Sequence, residues 1–177
     1  MIAQDLEENI QFTFRDARDR GLEHVTIEHL TLALIDGSDI RLLMSSLSVD
    51  RRLLRQDLER FLEQRVPQQR GGGDPRPTPA FSRAIRRAIK QGKDGGAKKV
   101  TAAHVLYAIH HEPESFAARY MEKSGMTPRR LADWLERRRD EPDETHVLQP
   151  RRSPLGRARF EARGRAARAA REEAAAA

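Results

Sequence analysis

Two histidines stand at matching positions in this sequence, each three residues after a threonine. His29 follows Thr26, and His104 follows Thr101, 75 positions further along the chain. A pair of imidazoles could bind a metal ion or transfer protons near neutral pH. Threonine is also a favoured helix N-cap, and a side chain three positions later can turn back to the cap backbone. Because the chain has no cysteine and no nucleophile at fixed spacing, we interpret both histidines as structural, with a metal or catalytic pair as the alternative.

Both histidines lie inside an internal repeat. Residues 25–30 and residues 100–105 each run valine, threonine, two further residues, histidine and a branched aliphatic residue. The offset of 75 also relates other apolar residues, pairing Leu6, Ile10, Phe14, Ala33 and Leu34 with Phe81, Ile85, Ile89, Ala108 and Ile109. Such a repeat is typical of a unit that cannot bury its apolar face alone. We therefore expect two halves that close on each other and share one core.

Apolar residues recur at helical spacing through the first half, which predicts four helices. The first covers residues 2–19 and ends at Gly21. The second begins after Thr26 and stops near Gly37, where glycine would supply a left-handed C-cap. The expected N-caps of the third and fourth helices are Ser38 or Asp39, and Asp50.

The second half repeats this plan with four further predicted helices. A basic amphipathic helix covers residues 81–91, and a polar loop follows over residues 92–99. The remaining helices are expected to cover residues 101–111, to open at Pro113 and end at Gly125, and to start at Thr127-Pro128.

These patterns predict an all-α fold, in which duplicated four-helix repeats pack as an eight-helix domain with pseudo-twofold symmetry. The first repeat covers residues 1–66 and the second residues 81–139. Between them, residues 67–80 are rich in proline and glycine, which is typical of a flexible linker. Residues 140–177 form a low-complexity tail rich in Arg and Ala. We expect this tail to be disordered or weakly helical, because it has too few large apolar residues to dock.

Most of the net charge of +6 is carried by residues 146–177, the basic part of the tail. From residue 146 onward there are eight Arg and three Glu, a net of +5, so the part before it is nearly neutral. Any argument for nucleic-acid binding therefore rests on the tail. The sequence lacks the apolar run of about eighteen residues that spans a membrane. Its acidic beginning is unlike a signal peptide, and with no cysteine present a cytoplasmic location is expected.

Residues suited to catalysis or nucleotide binding do not form a recognisable motif. Gly71-Gly72-Gly73 could suggest a phosphate-binding loop, but the Lys-Ser/Thr ending of a P-loop is missing and no helix start follows. No G-x-x-x-x-G-K-[ST] sequence occurs in the 177 residues. A nucleophile, a base and an orienting group cannot be assembled either. We therefore expect a non-catalytic protein without a cofactor, and no ATP hydrolysis by the P-loop route.

Residues 1 to about 139 resemble the Clp N-terminal domain, the duplicated helical module at the front of the Clp unfoldases, and in particular its ClpA type. The motifs that carry the resemblance are Thr26-x-Glu28-His29-Leu30-x-Leu32-Ala33-Leu34, Ser48-Val49-Asp50 and Leu54-Arg55-Gln56-Asp57-Leu58-Glu59-x-Phe61-x-Glu63-Gln64. The first half matches closely and the second by pattern. Ala103 stands where the ClpC-type second repeat carries a glutamate, a departure from the phosphoarginine-binding pair of that branch.

The resemblance implies a binding module. ClpA-type domains dock the small adaptor ClpS, which delivers substrates with destabilising N-terminal residues, and they help to feed chains to an ATP-driven ring. The adaptor-facing positions implied for this chain are Glu23, Thr26, Glu28 and Thr78. Both glutamates flank a helix N-terminus that we expect to be exposed, where they can accept charge-assisted hydrogen bonds from a partner or simply favour the helix dipole. Zinc, a reported family feature, involves a position that is Leu22 here, so no metal is expected.

The expected partners are therefore a ClpS-type adaptor, substrate polypeptides and a Clp unfoldase ring, with no membrane involved. Two explanations fit the missing ATPase module: a free-standing domain that acts in trans, or the front part of a longer unfoldase. Residues 139–142 resemble the start of the linker that leads to the first ATPase module in ClpA-type proteins. Beyond them the similarity ends in the Arg/Ala-rich tail.

The tail supports an alternative function, in which the protein associates with nucleic acid. Arg clusters without interleaved aromatic residues contact phosphates generically, so the affinity should fall steeply as the salt concentration rises. Removal of residues 146–177 should abolish the binding. Titration of labelled DNA or RNA at several salt concentrations checks this prediction, and equal affinity with and without the tail would contradict it.

Overall fold

The computed structural model describes residues 1–139 and, in the tail, residues 168–169, 172–173 and 176. Residues 1–139 contain eight helices: α1 (Gln4–Asp19), α2 (Ile27–Leu34), α3 (Ser38–Ser46), α4 (Arg51–Arg65), α5 (Pro79–Asp94), α6 (Ala102–Ile109), α7 (Phe116–Lys123) and α8 (Pro128–Arg138). Two short strands, β1 (His24–Val25) and β2 (Arg76–Pro77), accompany them. The prediction of an all-α fold with four helices in each half is confirmed. The prediction for the tail lies mostly outside the described residues.

Each half pairs its leading segment with the other half. β1 and β2 run parallel, with Val25 opposite Pro77, and Ile2 forms a parallel bridge with Val100. The offset of 75 converts the first pair into the second, because it relates residue 2 to residue 77 and residue 25 to residue 100. Two equivalent hydrogen bonds show the same exchange: Thr78 N–H donates to the Val25 carbonyl at 3.0 Å, and Ala3 N–H donates to the Val100 carbonyl at 2.9 Å. We call residues 1–3 and 76–78 the exchanged segments.

The core lies around α2 and α6, which pack on each other and on helices from both halves. All eight residues of α2 are buried, the polar Glu28, His29 and Thr31 among them. Within the first half α2 contacts α1 and α4, and α6 makes the equivalent contacts with α5 and α8. The two halves therefore share one continuous hydrophobic core.

The predicted linker, residues 67–80, is held at both ends by backbone hydrogen bonds. Glu23 N–H donates to the Pro67 carbonyl and Gln69 N–H to the Gly21 carbonyl, each at 2.9 Å. Arg76 N–H donates to the Glu23 carbonyl at 3.0 Å. The physical reason is that residues 76–78 form an exchanged segment, whose backbone groups are satisfied by β1.

Two predicted boundaries in the first half are wrong. Gly37 has φ −63° and ψ 145°, so it is extended and is the N-cap of α3 rather than a left-handed C-cap of α2. Ser38 is the first residue of α3, and neither it nor Asp39 is the cap. A Cβ atom at Gly37 would lie 3.2 Å from the Leu34 carbonyl oxygen, so glycine serves a tight approach here. The Asp50 cap is confirmed, because its carboxylate accepts from Leu53 N–H at 3.0 Å.

Two boundaries in the second half also differ from the predictions. Pro113 does not open α7, which starts after Ser115, whose hydroxyl accepts from Ala118 N–H at 3.0 Å. The predicted polar loop begins too early, because α5 continues through Gly92 to Asp94. The predicted end of α7 at Gly125 and the predicted start of α8 at Thr127 are confirmed. Gly125 has φ +101°, and the Thr127 hydroxyl caps α8.

Gly92 is buried inside α5 because the helix passes very close to the strand-like residue that precedes α6. A Cβ atom at Gly92 would lie 2.8 Å from Val100 Cγ2. Val100 cannot easily yield, since it is buried and pairs with Ile2 in the exchanged segment. The glycine thus allows α5 to pack closely against Val100.

We predict that Gly92→Ala destabilises the protein by about 1–2 kcal/mol, although alanine in a helix interior is usually favoured by about 1 kcal/mol. Urea unfolding followed by circular dichroism measures the effect. Val100→Ala and the double variant complete the cycle: the double variant should lose less stability than the two single losses combined, because removal of Cγ2 relieves the clash. A stabilising Gly92→Ala substitution would contradict the close approach.

Candidate functional site

Three of the four predicted adaptor-facing residues lie along one edge of the molecule. Glu23 is exposed and stands directly before β1. The Thr26 hydroxyl caps α2 by accepting from His29 N–H at 3.2 Å, and the Thr78 hydroxyl caps α5 by accepting from Phe81 N–H at 3.2 Å. The pairing of β1 with β2 joins these positions, although they are far apart in sequence. We call Glu23, Thr26 and Thr78 the acidic edge.

Glu28 does not share this exposure, and the expectation that it flanks an exposed helix N-terminus is wrong. Its side chain is buried, with 5% of the residue exposed. A carboxylate oxygen accepts from Ala117 N–H at 3.3 Å, so Glu28 caps the N-terminus of α7 in the other half. Burial raises the pKa of Glu28, and hydrogen bonds from the backbone, Ala117 among them, oppose the rise. The reason for the difference is that every face of α2 is covered.

His29 is structural, as expected, but the predicted contact is wrong. Instead of turning back to the cap, its Nε2 lies 2.7 Å from Asp16 Oδ2 on α1. The same carboxylate oxygen accepts from Arg20 Nε at 2.6 Å, and Arg20 also contacts Glu59 at 3.2 Å. Burial lowers the pKa of His29, with the hydrogen bond to Asp16 opposing it. The neutral imidazole can therefore donate from Nε2 to the carboxylate.

His104 makes the contact that the sequence predicts. Thr101 N–H donates to His104 Nδ1 at 3.1 Å, and this hydrogen bond completes a capping box at the N-terminus of α6. The two histidines differ because the position equivalent to Asp16 is Gln91 in the second half. His29 meets a buried carboxylate, whereas His104 has none and bonds locally.

Within the described residues, no three His, Cys, Asp or Glu side chains are arranged so that they could hold a metal ion. In the same part of the chain, no helix is both long and apolar enough to cross a bilayer.

The acidic edge occurs in only one half. The positions equivalent to Glu23, Thr26, Glu28 and Thr78 are Lys98, Thr101, Ala103 and Ala3. The second copy therefore keeps the threonine cap and loses both carboxylates. Any partner that recognises the acid at residue 23 meets one site in each chain.

An aromatic cluster that the sequence pattern did not predict lies between α4 and α7. The ring centroids of Phe61 and Phe116 are 5.3 Å apart, and those of Phe116 and Tyr120 are 6.2 Å apart. The guanidinium carbons of Arg65 and Arg119 lie 5.3 and 5.4 Å from the Phe116 centroid. Only the spacing of Phe116 and Tyr120 on one helix face signals this cluster in the sequence. We call Phe61, Phe116 and Tyr120 the aromatic patch.

Fold and site together define a class of protein: a duplicated helical domain with a shared core, a single acidic edge and a neighbouring aromatic patch. The chain belongs to the Clp repeat (R) N-terminal domain family, whose model matches residues 1–124. The chain is also 38% identical over 125 residues to a ClpA homolog protein of Fuscovulum blasticum. That alignment covers 69% of this chain and 16% of the relative, so the chain spans about a sixth of the relative's length.

Solved structures support the fold. The Hsp104 N-terminal domain from Candida albicans superimposes with a TM-score of 0.68 at 15% sequence identity, covering 79% of this chain and 93% of that one. The N-terminal domain of the chaperone ClpD from Arabidopsis thaliana gives a TM-score of 0.57 at 14% identity, covering 76% and 94%. At these identities the likeness concerns the arrangement of the helices.

The buried carboxylate of Glu28 leads to a prediction about pH. Because its pKa is raised, the folded chain binds more protons here than the unfolded chain does, and stability falls as the pH rises from the usual glutamate range to the raised value. Glu28→Gln removes this loss but keeps an oxygen that can accept from Ala117 N–H. The stability of the Gln variant relative to the wild type should therefore be higher at about pH 7 than at about pH 4.

Urea unfolding at both pH values measures the difference. Glu28→Ala is the contrasting variant: it leaves the Ala117 amide without its acceptor and should be less stable than Glu28→Gln at either pH, by about 1 kcal/mol. A Gln variant whose relative stability does not change with pH would show that the carboxylate is not desolvated in the folded state.

Proposed function

We propose that this chain is a protein-docking module of the Clp unfoldase and protease system, which binds a ClpS-type adaptor and substrate polypeptides and performs no catalysis itself. The observation that carries the proposal is the acidic edge, where Glu23 is exposed beside the two threonine caps. Membership of the Clp N-terminal domain family supports the system, and the resemblance to the ClpA type supports the kind of adaptor.

The acidic edge is suited to docking because its backbone is fixed before a partner arrives. Glu23 N–H and carbonyl are both engaged, with Pro67 and Arg76 respectively. No cation in the described residues lies within ion-pair distance of the Glu23 carboxylate, so it can accept charge-assisted hydrogen bonds from a partner's Lys, Arg or His. Prearranged polar groups reduce the ordering cost of binding and favour specificity.

Glu28 contributes to the proposed site by position rather than by contact. It joins the start of α2, which carries the acidic edge, to the N-terminus of α7. A lysine at residue 28 would place a cation against the amide groups of that helix end, inside the protein, where it would be unfavourable. Charge reversal is therefore informative at Glu23 and not at Glu28.

Binding of nucleic acid through the Arg-rich tail remains the alternative prediction, since the tail lies mostly outside the described residues. A cytoplasmic location is part of the main proposal and is supported by the absence of cysteine.

Calorimetric titration of the full chain with a purified ClpS-type adaptor tests the proposal. We expect one adaptor per chain, because the second half carries Lys98 where the first carries Glu23. Glu23→Lys should weaken binding by about tenfold or more, through loss of an attractive contact and gain of a repulsive one. Glu136→Lys, the same change at an exposed glutamate on α8, is the matched control and should bind like the wild type.

Three results would count against the proposal: no binding by a folded wild-type chain, two adaptors per chain, or equal losses in Glu23→Lys and Glu136→Lys. The last result would indicate a general charge effect. Circular dichroism and thermal unfolding of each variant verify that the chain is folded.

A further inference from the structure

The aromatic patch is a half-buried surface at the junction of α4 and α7. Phe61, Phe116 and Tyr120 each remain partly accessible, although their rings pack on one another. Arg65 and Arg119 are exposed and stack over Phe116. A guanidinium that stacks on a ring keeps its N–H groups free at the edge, where they can bind a carboxylate in a bidentate manner.

The shared fold does not require these aromatic residues. The positions equivalent to Phe116 and Tyr120 on α3 are Asp39 and Leu43, at an offset of 77 that also relates the matching C-terminal hydrogen bonds of α3 and α7. α8 is equivalent to α4 at an offset of 77, as Leu54 with Leu131 and Leu58 with Leu135 show, and it carries Arg138 in place of Phe61. The equivalent positions of the other half therefore carry no aromatic ring.

Two exposed arginines, Arg65 and Arg119, flank the aromatic patch. Within the described residues no carboxylate lies within ion-pair distance of either one. Glu122, three residues after Arg119 on α7, is exposed and lies 3.7 Å from His110, whereas Glu28 and Asp57 are both buried. Glu28 is engaged with α7, and Asp57 is paired with Lys123 at 2.8 Å.

The patch also adjoins the acidic edge. Arg65 is the last residue of α4 and stands two positions before Pro67, whose carbonyl accepts from Glu23 N–H at 2.9 Å. Glu28 connects the two surfaces from the inside, because it lies on α2 and caps the helix that carries Phe116. The exposed carboxylate of Glu23 therefore lies on an edge next to a surface that carries two stacked arginines and aromatic rings.

We propose that the aromatic patch, with Arg65 and Arg119, binds an acidic peptide segment that carries an aromatic side chain. The aromatic side chain would pack on Phe116 and Tyr120, and flanking carboxylates would pair with the two guanidinium groups. The inference rests on the proposed docking function and assigns a class of polypeptide to a second surface of the same domain. Aromatic residues and Arg together form the usual centre of a protein interface.

Fluorescence anisotropy with short labelled peptides tests the inference on the full chain. The probe sets phenylalanines among aspartates and glutamates, and one control peptide has alanine at each phenylalanine. A second control keeps the phenylalanines and replaces every acid by lysine. The Arg-rich tail attracts both acidic peptides alike through charge, so a preference for the phenylalanine peptide reports the aromatic patch. We expect that peptide to bind at least about tenfold more tightly than either control.

Two variants locate the binding. Phe116→Ala removes the central ring, and the pair Arg65→Gln with Arg119→Gln removes the charges while leaving buried residues untouched. Each should reduce affinity for the phenylalanine peptide by about tenfold, and the arginine effect should diminish at high salt. The matched control is Arg41→Gln with Arg137→Gln. It removes one positive charge from α3 and one from α8, both outside the aromatic patch, and should bind like the wild type.

The inference is overturned if the phenylalanine and alanine peptides bind equally, or if the two arginine pairs lose equal affinity. It is also overturned if sedimentation shows a dimer that Phe116→Ala converts to a monomer, because a second copy would then occupy the surface. Its failure is separable from failure of the adaptor proposal. Glu23→Lys should lose adaptor and keep the peptide, whereas the arginine pair should lose the peptide and keep adaptor.

Discussion

The exchange of leading segments between the two repeats is the constraint on which the rest of the structure depends. Residues 76–78 pair with β1 of the first half, and residues 1–3 pair with Val100 of the second. Neither half can satisfy these backbone groups alone, so the repeats must assemble with α2 and α6 between them. The same exchange brings Thr78 beside Glu23 and Thr26, and so forms the acidic edge from distant parts of the sequence.

The internal repeat also shows that the surroundings of a residue decide its role, even where the same local sequence pattern occurs twice in one chain. His29 and His104 follow the same threonine cap, yet one bonds a buried carboxylate on α1 and the other bonds its own cap. Glu28 and Ala103 occupy equivalent positions, and only the glutamate reaches across to a helix of the other half. A buried polar group takes the partner that its surroundings supply, because leaving it unpaired is costly.

Both proposed binding functions depend on differences between the halves rather than on their symmetry. The duplicated helices bury a common core, whereas the acidic edge and the aromatic patch, which α4 of the first half and α7 of the second half form together, have no counterpart at the equivalent positions. Lys98 replaces Glu23, and Asp39 and Arg138 replace Phe116 and Phe61. A symmetric body with one-sided surfaces is consistent with a module that engages one adaptor and one polypeptide segment at a time.

The sequence by itself determined the all-α class, the duplication, the Thr26, Asp50 and Thr127 caps and the family, because these depend on local spacing and on an offset that can be counted. It misjudged Gly37 and Gly92, whose conformations depend on neighbours distant in sequence. Of the adaptor-facing residues that the resemblance implied, Glu23 is exposed and Glu28 is buried. Only the tertiary structure decided which carboxylate is exposed, which histidine meets Asp16 and that Phe61 lies against Phe116, since burial is fixed when two separate helices pack.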